Sequence, residues 1–354
     1  MVLFFVASYI WFSFLFFKWN NDPPMKLVTI SVVVLICFSG FRDSVGIDFF
    51  TYKMMYENLN NYYLHSIEPV WFPLAQLLHS FHFSFVGWCL VTSLVILVGF
   101  QYGFWKLSKS ISLSWLFFLI TILFATSMNV VRQYVAMSIV FAGTYLVLEK
   151  KWKWFCVVVM IALQFHVSAI VSLVIPLLYS VKRKKILWIG LLVSFLFGEA
   201  LMNIFMEGIR SLVQGFIGLS ESRRTYGYDV DSIDNGIASG LYKYTLNIIA
   251  VLLIIICEKM RDKNKEYFLY KNFLLNLFIT SVIVYNMFMT FQVYRRLYEY
   301  FFMYVTLLIP YICVRHQNAQ VRLITYLLFS ACFVAFSLKA SWGTPYEMNL
   351  TLFE

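Results

Sequence analysis

Charge is what this sequence has least of. Only 13% of its 354 residues are Asp, Glu, Lys or Arg, while 61% are apolar and 20% aromatic. A soluble globule needs more polar surface than this composition supplies, so a soluble enzyme or binding module is excluded. Cysteine is sparse as well. Cys37, Cys89, Cys156, Cys257, Cys313 and Cys332 stand singly in apolar segments, with no C-x-x-C pair and no histidine at ligand spacing. They read as small buried side chains, not as a disulfide framework or a metal site. A phosphate-cradling glycine loop, an aspartate-rich metal motif and a dinucleotide fingerprint are missing too, so no cofactor, metal or nucleic acid is expected. Alternating strands of about ten residues, the mark of a membrane β-barrel, are not seen either.

What the chain does have is one apolar run after another. Crossing the hydrocarbon takes about 20 apolar residues, and runs near that length recur throughout. The expectation is an all-α polytopic membrane protein, residues 1–354 forming one integral membrane domain with about 10–12 transmembrane helices. The first run, "VLFFVASYIWFSFLFF", lacks a basic leading region and a small-residue cleavage site, and reads as a retained span. Basic clusters set the orientation. Lys18 with Lys26, Lys106 with Lys109, residues 149–153, 182–185 and 258–265, and Arg315 with Arg322 are placed in the cytoplasm, which puts both termini outside. The spans then fall near 2–17, 26–41, 85–105, 113–128, 129–148, 186–206, 243–257, 267–290, 296–314 and 321–340.

Three regions do not read as simple crossings. Residues 42–83, with Pro69 and Pro73, are expected to lie along the outer, periplasmic interface. Residues 153–181 are flanked by basic clusters on one side, which predicts a short helical hairpin or re-entrant loop with "QFHVS" at its tip. Residues 207–242 carry the Gly, Asp and Ser content of a second periplasmic loop.

Sorted on this map, lysine and arginine separate. Lysine lines the inner ends of spans, whereas Arg42, Arg132, Arg210, Arg223, Arg224, Arg295 and Arg296 fall outside or at outer ends. Arginine stays charged when buried, and its planar fork suits phosphate or carboxylate, so an outward arginine set suggests an anionic ligand. Arg132, inside "MNVVRQYVAMSIVF", is the sharpest case. A charge in a span costs about 3 kcal/mol on insertion scales, so the expectation is a polar, anion-binding cavity at that depth. Of the neighbours Arg295 and Arg296, at most one faces the same cavity, and Arg295 is favoured. Asp48, Tyr52 and Tyr56 share a helical face, Glu68 before Pro69 reads equally as a helix cap or a ligand, and His166 sits at the hairpin tip as a proton-handling or diphosphate-contacting group. His65, His79, His82 and His316 read as structural.

The ordered set "FRDSVGIDFFTY", "EPVW", "NVVRQYVA", "FHVSAI" and "YRRLYEYF" resembles the EpsG family, which belongs with the Wzy-type polymerases of O-antigen, capsule and exopolysaccharide. Ile47 and Phe49 depart from the usual Thr and Tyr of that pattern. The resemblance covers residues 40–305 and implies a GT-C-like glycosyltransferase of the bacterial inner membrane, joining undecaprenyl-diphosphate-linked repeat units on the periplasmic face. On that reading Arg132 and Arg295 hold the donor diphosphate, and His166 and Arg42 support them or bind the acceptor's diphosphate. Asp48 or Glu68 is the base, and Tyr52, Tyr56, Gln133 and Tyr294 face sugar. The implied partners are lipid-linked glycans, membrane lipid and a chain-length regulator of the polysaccharide co-polymerase type.

Overall fold

Three short polar side chains open helices where loop gives way to apolar run. Ser84 accepts from the Val86 amide, Ser110 from Leu113 and Asn264 from Glu266. Each satisfies a backbone donor that a helix start leaves free. The computed structural model describes residues 2–19, 23–59, 68–181, 184–217, 236–261, 264–341 and 347–352, with backbone alone for 2, 184, 208–217, 236–239, 292–293, 336–341 and 347.

These residues are almost wholly helical. In order they form α1 (Val2–Lys18), α2 (Met25–Gly40), the two-residue strand β1 (Arg42–Asp43), α3 (Phe49–Glu57), α4 (Trp71–Ser80), α5 (Phe85–Leu107), α6 (Ile111–Ile120), α7 (Leu123–Asn129) and α8 (Val131–Leu148). They continue with α9 (Trp152–Leu163), α10 (Val167–Ser180), α11 (Lys184–Ile217), α12 (Gly236–Lys259), α13 (Lys265–Met287), α14 (Arg296–Arg315), α15 (Ala319–Ser341) and the strand β2 (Glu347–Met348). The protein is thus an all-α polytopic membrane protein, as its composition predicts.

Among the described residues six helices are long and apolar enough to cross a membrane, and up to seven if the bent pair α6 and α7 is one span. That is fewer full-length crossings than the count of apolar runs suggests. Helices such as α2, with 16 residues, reach only about 24 Å at 1.5 Å per residue, short of a ~30 Å hydrocarbon layer. The predicted span 113–128 is also not straight: the chain bends by 60° between α6 and α7, where Ile122 adopts φ +73. A non-glycine residue there breaks the helical hydrogen-bond ladder, which hydropathy does not register. Of the loop expected at 207–242, the two ends are helical, α11 running to Ile217 and α12 beginning at Gly236. Its central part, with Arg223 and Arg224, lies outside the described residues, as do His65 and the side chain of Arg210. The hairpin near 153–181 is present: α9 and the first turns of α10 pack together around a tip at residues 164–166.

The sequence reading treats residues 1–354 as one domain. The packing groups them into two compact units, Met1–Leu177 with Val305–Glu354, and Leu178–Tyr304. In the first, α6 is buried along its length from Ser112 to Ile120. Beside it α5 and α8 cross closely, because Gly99 and Gly103 let the backbones meet: a Cβ at Gly99 would lie 2.8 Å from the Ser138 Cβ, and one at Gly103 would run into the Phe141 ring. Small residues four apart are the usual device for such contact in lipid. At one end, the chain after α15 returns as β2, pairing Met348 with Arg42 and Glu347 with Asp43. Ser84 ties it further, its hydroxyl donating to the Thr351 carbonyl and its amide to that of Leu352. In the second unit, polar side chains bind apolar helices. Asn286 of α13 donates to Ser194 of α11 at 3.1 Å and exchanges hydrogen bonds with Asn247 of α12 at 2.9 and 3.1 Å.

Candidate active site

The site grows from the loop that follows α2. Arg42 turns its guanidinium back under that helix, Nη1 donating to the Ser39 carbonyl at 2.5 Å and to Ser93 Oγ at 3.3 Å. It is 2% exposed. A cation on the last carbonyls of a helix satisfies groups the helix cannot pair itself and complements its negative end. Arg42 is therefore a buried helix cap, in place of the outward anion contact that its position in the sequence suggests. Four residues on, Gly46 takes φ +94 with Asn129 pressed against it, where a Cβ would meet the Asn129 Oδ1 at 2.7 Å. That Oδ1 accepts from the Asp48 amide at 2.9 Å, pinning the loop to the end of α7.

From this anchor α3 begins at Phe49, with Tyr52 and Tyr56 on its buried face. Asp48 is half-buried one turn before Tyr52, and its carboxylate does not cap the helix. Tyr56 is structurally committed: its hydroxyl donates to the Phe83 carbonyl at 2.6 Å and its ring stacks on His79 at 4.4 Å. His79 in turn contacts the Tyr56 carbonyl at 2.7 Å. A sugar-facing role for Tyr56 does not fit those contacts, because its polar end is already paired inside the fold.

Glu68 is the centre of the cluster. One carboxylate oxygen, Oε2, accepts from Arg132 Nη1 at 2.6 Å, and the other, Oε1, lies 2.6 Å from His166 Nδ1. The Val167 amide reaches the same Oε1 at 3.4 Å. These three side chains, 12%, 25% and 22% exposed, come from the α4 approach, the start of α8 and the hairpin tip. A second link fixes the tip, Trp71 Nε1 donating to the Phe165 carbonyl at 2.9 Å. Burial alone would push the Glu68 carboxyl up. The His166 hydrogen bond and the Arg132 charge outweigh it and hold the carboxyl at about 2. Tyr52 lies beside Arg132 in the wall of one hollow; burial raises its phenol, with the Arg132 charge opposing and the Asp48 charge adding.

Beside Arg132 lies a hollow of about 10 Å³, walled by Tyr52, Met55, Tyr56, Trp71, Ala75 and Trp88. That volume takes about one water molecule. The hollow beside Arg132 is much smaller than the anion cavity expected there, and a carboxylate of the protein itself stands against the guanidinium. Of the two readings of Glu68, the helix cap is not made, since α4 starts after Val70 with no side-chain cap.

The remaining candidates are placed as follows. Gln133 is 2% exposed with its amide 3.6 Å from the Met137 sulfur, which offers no open face to a sugar. In the second unit, Arg295 donates weakly to the Met289 carbonyl at 3.5 Å, and Tyr294 is 45% exposed against Phe288 and Phe291. His316 accepts from the Asn318 amide at 3.1 Å. Among the described residues no three His, Cys, Asp or Glu side chains gather as a metal site. Trp71 and Asn129 escape a reading by charge and titration. The sequence marks them only as the last residue of "EPVW" and the first of "NVVRQYVA".

With this geometry in place, comparison with known proteins gives one match. The EpsG family model covers residues 25–348, nearly the whole chain, and the protein belongs to that family. No curated protein and no solved structure matches. Family membership and the apolar helices together make this a membrane protein of polysaccharide biosynthesis, of a glycosyltransferase-like polymerase family.

Proposed function

We propose that this EpsG-family chain polymerises undecaprenyl-diphosphate-linked oligosaccharide repeat units on the periplasmic face of a bacterial inner membrane. The growing glycan passes from its lipid diphosphate to the terminal sugar of a new lipid-linked repeat, and undecaprenyl diphosphate leaves. The observation that carries the reading is Arg132 held half-buried at one end of a helical membrane unit, with Glu68 and His166 bound to each other beside it.

The chemistry follows from what glycosyl transfer needs. An acceptor hydroxyl oxygen attacks the anomeric carbon, the bond from that carbon to the diphosphate oxygen breaks, and negative charge grows on the leaving group. A guanidinium fixed before the reaction meets that charge without reorganising, and its low-dielectric setting strengthens the attraction. Since Glu68 occupies Arg132 Nη1, the incoming diphosphate shares the guanidinium with that carboxylate or displaces it. Asp48 and Tyr52 flank the sugar path. A polysaccharide co-polymerase that sets chain length is the expected protein partner.

The test is a surface-polysaccharide gel from a deletion strain. A single-repeat band, restored to a ladder by the wild-type gene but not by Arg132→Ala, supports the reading. Long polymer accumulating on its lipid carrier indicates a ligase instead, and an unchanged ladder removes both.

A further inference from the structure

We infer that His166 is the general base of glycosyl transfer, acting through Nε2, and that Glu68 is the residue that positions it. The inference rests on the polymerase reading above and gives the base role, for which the sequence leaves Asp48 and Glu68 in competition, to His166 instead, with Glu68 as its support.

The argument starts at the 2.6 Å contact between Glu68 Oε1 and His166 Nδ1. An ionised carboxylate accepts hydrogen bonds and cannot donate them, so the shared proton sits on Nδ1. A neutral imidazole with its proton there carries a lone pair on Nε2, the form that takes a proton from a hydroxyl. Among the described residues no hydrogen bond is recorded at Nε2. Glu68 is unsuited to the same task. Both its oxygens are engaged, by Arg132 on one side and by His166 and Val167 on the other. Its carboxyl, held at about 2, is far too weak a base near neutral pH, where proton transfer favours a group of matched basicity.

The backbone holds the imidazole in place. His166 stands in extended conformation, φ −160 and ψ 125, at the start of the 3₁₀ turns of α10. Its two neighbours are clamped, Phe165 by Trp71 and Val167 by Glu68. The ring is 22% exposed, so it is fixed yet reachable. Arg132, joined to it through Glu68, places the guanidinium for the leaving diphosphate in the same hydrogen-bonded group as the base. In the step, Nε2 takes the acceptor's hydroxyl proton as that oxygen bonds to the anomeric carbon. The electron pair of the broken carbon–oxygen bond leaves on the diphosphate, and the imidazolium then returns its proton to water.

His166→Asn separates the two nitrogens: its amide still donates to Glu68 from near the Nδ1 position, while the Nε2 lone pair is gone. Purified protein in lipid nanodiscs, supplied with synthetic polyprenyl-diphosphate-linked repeats, gives kcat and KM for each variant. His166→Asn is expected to lower kcat about 100-fold or more with KM little changed. Glu68→Gln is expected to lower kcat about tenfold, with partial recovery in Glu68→Asp, and Asp48→Asn, beside the sugar path, to act mainly on KM and to lower kcat far less than His166→Asn does. His166→Gln repeats the measurement if the Asn variant does not elute as the wild type does. A His166 variant that is correctly folded and active overturns the inference. So does a loss confined to KM, which makes His166 a diphosphate contact, or a collapse of kcat in Asp48→Asn. Wild-type protein that extends no lipid-linked repeat refutes the polymerase reading itself, a separate outcome.

Discussion

The two ends of the first unit use charge in opposite ways. At one end, Lys106 lies over the ring of Trp105 at 4.3 Å, and Lys151 meets Glu149 at 2.8 Å with both side chains about half exposed. At the other, Arg132 meets Glu68 at 2.6 Å with the carboxylate 12% exposed and a histidine on its second oxygen. Solvated pairs of the first kind contribute little, because water and salt screen them and two long side chains lose freedom. A pair of the second kind bears a desolvation cost that its geometry must offset, so its presence needs a further reason. The same kind of ion pair is therefore solvated at one end and largely buried at the other.

The largest effect expected from breaking this contrast comes from Arg132. Arg132→Ala should cut chain extension about 100-fold or more while the protein still inserts in membranes, as read on a polysaccharide gel beside a membrane immunoblot. Arg132→Lys, which keeps a charge but not a planar fork, should fall between the two. Next comes acid. The Glu68 carboxyl titrates lower in the fold, at about 2, than at its ordinary 4.5. Its contribution to stability is therefore complete above the ordinary value and fades as pH falls toward the folded one. The gap in thermal midpoint between wild type and Glu68→Gln in detergent should hold steady from neutral pH to about 5 and narrow below about 4.5. A smaller effect is expected from Trp71→Phe, which keeps the ring but loses the hydrogen bond to Phe165. About 1 kcal/mol of stability and a few-fold loss of rate should follow, by calorimetry and the nanodisc assay. Smallest of all, Glu149→Gln at the lysine end should leave both ladder and thermal midpoint unchanged. A large effect there would erase the contrast between the two ends.

How much was legible follows the same division. Periodicity and apolar length placed α5, α8, α13 and α14 within a few residues, because lipid forces each span to pair its backbone internally. The basic clusters around residues 153–181 marked the hairpin before any contact was known. Arg132, Glu68 and His166 were each legible as an oddity: a charge in a span, a carboxylate before proline, a lone histidine at a tip. Their union was not, since Glu68 lies 64 residues from Arg132 and 98 from His166, and one sequence carries no record of contact at that range. Arg42 shows the reverse case. Its type and side were readable, but the carbonyl of Ser39 within its reach, which makes it a cap, was not. The bend at Ile122 and the return of β2 onto Arg42 also escape hydropathy, because both are set by local backbone strain and by chain that comes back from far away.

By itself the sequence determined that this chain lives in a membrane as helices, which residue types stay charged there, and where the helices start. Those follow from transfer energies and backbone pairing, which act residue by residue. Only the tertiary structure decided which charges meet: that one carboxylate joins a guanidinium to an imidazole, that another arginine turns back onto a helix end, and that the hollow beside Arg132 is small. Such pairings depend on distances of a few ångströms between segments far apart in the chain, and packing alone sets those.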